Sequence, residues 1–193
     1  PWAMLRDDHT GTSIMASAPA LDRSISAPDH RARCLATLDR IAQQDLHPKI
    51  AELIRLYRSI TPGDRLPGRQ HFDPMAVPHL LPNIWLVDVL DGPEPRFRYR
   101  LMGTRVAQAF AADITGRMFD DVHPDFATNP MRAYLLKVVA TRCPDHRRGT
   151  PNAWPVNELL SLERIFLPLA SDGANVDIVL ALTVFMRKDG DEL

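Results

Sequence analysis

Apolar positions recur at helical spacing early in the chain and alternate later. Leu35, Leu38 and Ile41 share one helical face, with Cys34 and Ala42 beside them. After His47-Pro48, Ile50, Leu53, Ile54, Tyr57 and Ile60 repeat that spacing, and Pro48 suits the first turn of a helix. Residues 29–60 are therefore expected to form amphipathic helices. They either cover a sheet or pair with a second copy, and the pattern does not choose between these. The turn formers of "TPGDRLPGRQHFDP" end the helical region, and Pro74, Pro78 and Pro82 leave room for at most a short helical turn.

Two alternating runs follow, "NIWLVDVL" (83–90) and "RFRYRLMG" (96–103), joined by the hairpin-sized loop "DGPEP". A hairpin symmetric about Pro93 sets Val89 against Phe97, Val87 against Tyr99 and Trp85 against Leu101, all on one side of a sheet. On the other side Asp88 faces Arg98 and Leu86 faces Arg100. A slip of one residue would destroy both the apolar face and the charge pair. Thr104 is the expected cap of a short helix carrying Val106, Ala107 and Phe110, and the chain then turns at Thr115-Gly116. Asn129 and Pro130 open a longer helix with Met131, Tyr134, Leu135, Val138 and Val139 inward. Residues 141–157 read as a ragged edge strand, and two further strands, 159–169 and 176–186, close the order around the loop "ASDGAN". The expected organisation is a flexible tail (1–27), N-terminal helices (28–60), one domain (61–187) and a short tail (188–193).

Composition narrows the function classes. The 193 residues are 45% hydrophobic and 24% charged, with a formal net charge of -1, an ordinary globular balance and not that of a dedicated polyanion binder. The only cysteines, Cys34 and Cys143, lie far apart and form no CxxC motif, so they read as two reduced thiols. No apolar run approaches the ~20 residues of a spanning helix. The start of the chain lacks the continuous apolar stretch of a signal peptide, and the expected location is cytoplasmic. The final "GDEL" reads as a chance likeness to a retention signal.

The candidate chemistry is sparse. Asp120, Asp121, His123 and Asp125 crowd one segment and offer a metal reading, or a haem reading centred on His123; the plainer alternative is a loop with helix-capping acids. Arg96, Arg98 and Arg100 interleave with aromatics, which invites a nucleic-acid reading. Alternation, however, places Phe97 and Tyr99 on the opposite face, so that role is not expected. No GxSxG, P-loop or kinase glycine loop is present, and no enzyme activity is expected.

The combination of "LPGRQHFDP", "LPNIWLVDVL", "FRYRLMGT", "FAADITGRMFDD" and "ERIFLPLASDG" resembles a PAS-like family of short, mostly alphaproteobacterial proteins, over about residues 45–186. One departure is Ala111, where the family pattern carries glycine. The resemblance implies an α+β fold: a five-stranded antiparallel sheet with helices inserted between its second and third strands, here preceded by the amphipathic helices. It implies sensing or interaction and assigns no cofactor. Between sheet and helices, Trp85, Tyr99, Phe110, Phe119 and Tyr134 are the candidates to line a ligand pocket, with a filled core as the plainer alternative. The expected partners are a small molecule and a second copy, in a homodimer formed through the N-terminal helices.

Overall fold

The computed structural model describes residues 27–149, 159–187 and 191–192. Residues 1–26 of the expected tail, 150–157 of the expected edge segment with 158 after it, and 188–190 and 193 of the expected short tail lie outside the described residues. Two helices come first, α1 (Ala27–Ala42) and α2 (Pro48–Ile60). His47 caps α2 by accepting the Lys49 N–H at Nδ1, 3.2 Å away, and Pro48 fills the first turn, where its missing N–H costs nothing. Three short 3-10 turns follow, Arg69–His71, Pro74–Ala76 and Pro78–Asn83. Prolines that lack a donor favour such pieces over a continuous helix.

The strands are β1 (Ile84–Leu90), β2 (Arg96–Met102), β3 (Asp145–Gly149), β4 (Leu159–Leu169) and β5 (Ile178–Arg187). Between β2 and β3 lie α3 (Thr104–Ala109), α4 (Phe119–Val122), a 3-10 turn at Phe126–Thr128 and α5 (Pro130–Thr141). Asn129 caps α5 as expected, its Oδ1 accepting the Met131 N–H at 2.9 Å. The cap of α3 is Gly103 rather than Thr104. All neighbouring strands are antiparallel, in the order β2-β1-β5-β4-β3. This is the expected α+β architecture.

The first hairpin keeps the expected register near its loop: Val89 pairs with Phe97, Asp88 with Arg98 and Val87 with Tyr99. The register then shifts between Leu86 and Val87, so Leu86 pairs with Leu101 and Trp85 with Met102. The expected Trp85–Leu101 and Leu86–Arg100 pairs are thus displaced by a bulge that leaves Arg100 as the extra residue. Leu101 is turned outward, 44% exposed, and Met102 takes the inward place.

Both faces of the sheet are covered. Trp85, Val87, Phe97, Tyr99, Phe166 and Phe185 face α3–α5 and meet Val106, Phe119, Leu135 and Val138. Leu86, Ile165, Leu167, Leu180, Leu182 and Val184 face the N-terminal helices and meet Leu38, Ile41, Ile50, Leu53, Ile54 and Tyr57. The helices therefore cover the sheet, the first of the two arrangements their sequence allowed. The Tyr57 hydroxyl, buried with its ring, donates to the Pro168 carbonyl at 2.7 Å. Burial on both faces explains why β5 reads as a nearly continuous apolar run, interrupted by Thr183, instead of an alternating one.

Candidate functional site

An aromatic layer fills the space between β1, β2 and the inserted helices. Tyr99 and Phe119 stack with centroids 3.9 Å apart, Phe110 meets Tyr99 edge-on at 6.2 Å, and Trp85 lies 6.0 Å from Tyr99. Each polar tip finds a partner, as buried Trp and Tyr require. The Trp85 indole N–H donates to Thr183 Oγ1 at 3.0 Å, and the Tyr99 hydroxyl lies 2.9 Å from His123 Nε2. His123 is buried. Burial is the main cause that drives its pKa down to about 4, against the weaker pull of Asp125, so the imidazole is neutral near pH 7.

The "DITGR" segment closes this layer at the sheet edge. Asp113 Oδ1 accepts the Thr115 N–H at 3.0 Å, and Gly116 adopts φ +84. The Gly116 N–H then donates to the Tyr99 carbonyl at 2.6 Å, and the Tyr99 N–H to the Arg117 carbonyl at 3.0 Å. The turn thus covers part of the open edge of β2 and fixes the residue at the centre of the aromatic layer.

Four of the five pocket candidates, Trp85, Tyr99, Phe110 and Phe119, are brought together. Tyr134 sits apart. Its ring lies beneath the Arg147 guanidinium, 4.4 Å from the centroid, and 5.6 Å from that of Arg164. Arg164 also covers Phe166 at 4.3 Å, and Phe166 meets Trp85 edge-on at 5.6 Å, which links Tyr134 to the aromatic layer.

Arg164 is the residue that sequence reasoning missed. It is only 4% exposed. Its Nη1 donates to the Met131 sulfur at 3.3 Å, while Nη2 has no hydrogen-bond partner among the described residues. Burial lowers its pKa to about 10 despite the field of Asp145. That carboxylate is already engaged by Lys137 at 2.7 Å and Arg147 at 3.1 Å. Asn129, which abuts the same Met131 through its cap bond, likewise holds a buried Nδ2 without a partner. A signal was visible in the sequence: "LERIFLPL" sets two adjacent charges inside an apolar strand. Alternation sends them to opposite faces. Glu163, fully buried on the other face, accepts from the His47 N–H at 3.1 Å and lies 2.9 Å from His146 Nε2, fastening the start of α2 to the sheet.

The other candidates have local partners. Arg98 and Arg100 both bind Asp88, at 2.7 Å and 3.1 Å, and Arg96 reaches Asp120 at 3.4 Å. Among the described residues no three His, Cys, Asp or Glu side chains converge as a metal site would require. A cleft of about 310 Å³ opens where α1 meets the end of α5 and β3, with Arg33, Arg40, Lys137 and Arg147 among its walls.

Among the described residues no helix is long and apolar enough to cross a membrane. No curated protein matches the chain. A family model described as PAS domain matches residues 46–183, which takes in α2, the whole hairpin, the inserted helices, β4 and the first part of β5. PAS domains are in general sensory and non-catalytic. With the strand order and the inserted helices already in place, that match over well more than half of the chain shows that this protein belongs to the PAS domain family.

Proposed function

We propose that this chain is a sensory or regulatory module that acts by binding, and that its ligand is a small molecule with an anionic end held by Arg164. The observation that carries this reading is the buried guanidinium with an unpartnered Nη2, set against the aromatic layer. A guanidinium in an apolar layer costs stability unless it is fully paired, and its planar fork matches a carboxylate. Arg147 and Lys137 add positive charge nearby, opposed by the single carboxylate of Asp145. Asn129 offers a neutral donor beside the same methionine. Trp85, Tyr99, Phe110 and Phe119 would meet the apolar body of such a ligand.

The rival readings lack comparable support. His123 Nε2 is occupied by Tyr99, which a haem or metal ligand would have to displace. The arginine strip on β2 is matched by Asp88 and Asp120. A homodimer through the N-terminal helices would use their outer faces, because Leu53 and Tyr57 lie against the sheet.

Native mass spectrometry of freshly purified protein, followed by a denaturing spectrum, tests this reading. The expected result is a non-covalent excess mass that vanishes on denaturation and is absent from Arg164→Met. An excess mass retained by that variant would place the anchor elsewhere. No excess mass, together with no thermal shift across a panel of small carboxylates, would end the ligand reading and leave a protein-interaction module.

A further inference from the structure

The two cysteines, 109 positions apart, come together in space. Cys34 Sγ on α1 lies 2.6 Å from Cys143 Sγ, which follows the end of α5. Arg142 turns the chain there with φ +54, and its carbonyl oxygen lies 3.0 Å from Cys34 Sγ. Cys143 is buried, yet it lines the cleft between α1 and β3, which is open to solvent. Among the walls of that cleft are Arg33, Arg40, Lys137 and Arg147, with Asp145 as a carboxylate already bound to two of those cations. A thiol at the wall of an electropositive cleft, with a second thiol in contact, is the environment of a redox-active cysteine.

We propose that Cys34 and Cys143 are a reversible redox pair, which a hydroperoxide oxidises to an intramolecular disulfide that ties α1 to the end of α5. Cys143 is the attacking thiol. The hydrogen bond from Cys34 first, then Arg33 and Lys137, hold its pKa below the ordinary thiol value, whereas the same contact and burial raise that of Cys34. The Cys143 thiolate attacks one peroxide oxygen, the O–O bond breaks, and the departing oxygen leaves as water after taking a proton. Cys143 is then a sulfenic acid. Cys34 gives up its proton and attacks the Cys143 sulfur; the S–O bond breaks, a second water leaves, and the S–S bond forms. Two thiols and one hydroperoxide become one disulfide and two waters when the oxidant is hydrogen peroxide. A dithiol reverses the step by exchange.

The bond would matter because α1 is lightly held. Among its described side chains only Leu38 and Ile41 are buried. Oxidation therefore adds a covalent anchor to the helix that otherwise covers the sheet by two residues, and it joins that helix to α5, which carries Tyr134 and Lys137.

The test treats the full chain with stoichiometric hydrogen peroxide. The expected intact mass falls by two hydrogen atoms, a single cross-linked peptide pair contains Cys34 and Cys143, and a dithiol restores both thiols. Backbone hydrogen exchange in α1 slows, and the melting midpoint rises by roughly 10 °C. Cys34→Ser should stop at a Cys143 sulfenic acid that a cyclic diketone traps, while Cys143→Ser should remain unlabelled. Two thiols still free for alkylation, a disulfide between two chains, or Cys143 oxidised to the sulfinic acid with Cys34 intact would each overturn the proposal. Trapping at Cys34 in Cys143→Ser but not at Cys143 in Cys34→Ser would overturn the assigned roles.

Discussion

The Tyr99 hydroxyl and His123 Nε2 lie 2.9 Å apart inside the aromatic layer, each the other's polar partner. Because His123 is held down to about 4 against 6.5 for an ordinary histidine, the unfolded chain binds the extra proton first as pH falls. Stability from this site is complete above pH 6.5 and declines as pH drops toward 4. After allowance for screening at a partly wetted ring, the loss should be about 2 kcal/mol. Urea unfolding at several pH values should show that slope, and His123→Gln should flatten it; an unchanged slope would exclude His123 as the cause.

Arg164 is expected to cost the fold what it contributes to binding. Replacing it by methionine removes a buried charge and its unpartnered donor while keeping much of the side-chain volume. Arg164→Met should stabilise the ligand-free protein by about 1–2 kcal/mol. A clear loss of stability in chemical denaturation would instead make Arg164 a structural residue held by its two aromatic neighbours.

Ala111 occupies the left-handed region at φ +54, the position where the resembled family pattern carries glycine. An L-residue pays about 1–2 kcal/mol for that conformation, and glycine does not. Since glycine also loses more backbone entropy on folding, Ala111→Gly should gain about 0.5–1 kcal/mol. Ala111→Val should lose stability, because branching at Cβ sharpens the clash. A thermal melt of the pair decides the sign.

Gly103 is required for space, not for conformation. A Cβ there would stand 2.3 Å from the Leu81 carbonyl oxygen, 2.5 Å from that of Pro82 and 2.6 Å from that of Ile84. These are backbone atoms with little freedom to move, and the Gly103 N–H already donates to the Ile84 carbonyl at 2.7 Å. Gly103→Ala should destabilise by about 2–3 kcal/mol in denaturant titration. A near-neutral result would mean that the segment before β1 yields easily.

Leu53 and Tyr57 separate packing from association. Both are buried in a single copy of the chain, so Leu53→Asp with Tyr57→Asp should unfold the N-terminal helices from the sheet whatever the oligomeric state. The cost should exceed about 4 kcal/mol. A folded double variant by circular dichroism would show that these helices are not needed for the sheet.

What the sequence determined by itself was local. Alternation placed Val87, Val89, Phe97 and Tyr99 on one face and paired Asp88 with Arg98, because a strand has a period of two and a short loop fixes the register beside it. Asn129 and Pro130 marked the start of α5 because the unsatisfied N–H groups of a helix select those residues. Tertiary structure decided the rest. The bulge at Arg100 answers to the packing of Met102 and to the strand pairing beyond, and no local rule announces it. Tyr134 left the aromatic group because Arg147 and Arg164, brought opposite each other by the β3–β4 pairing, lie against its ring. Arg164 became a buried orphan, and Cys34 met Cys143, only once the strand order β2-β1-β5-β4-β3 had set β3 and the end of α5 beside α1. The cysteine contact joins residues 109 positions apart, and the arginine and tyrosine contacts join different elements, over which periodicity carries no information.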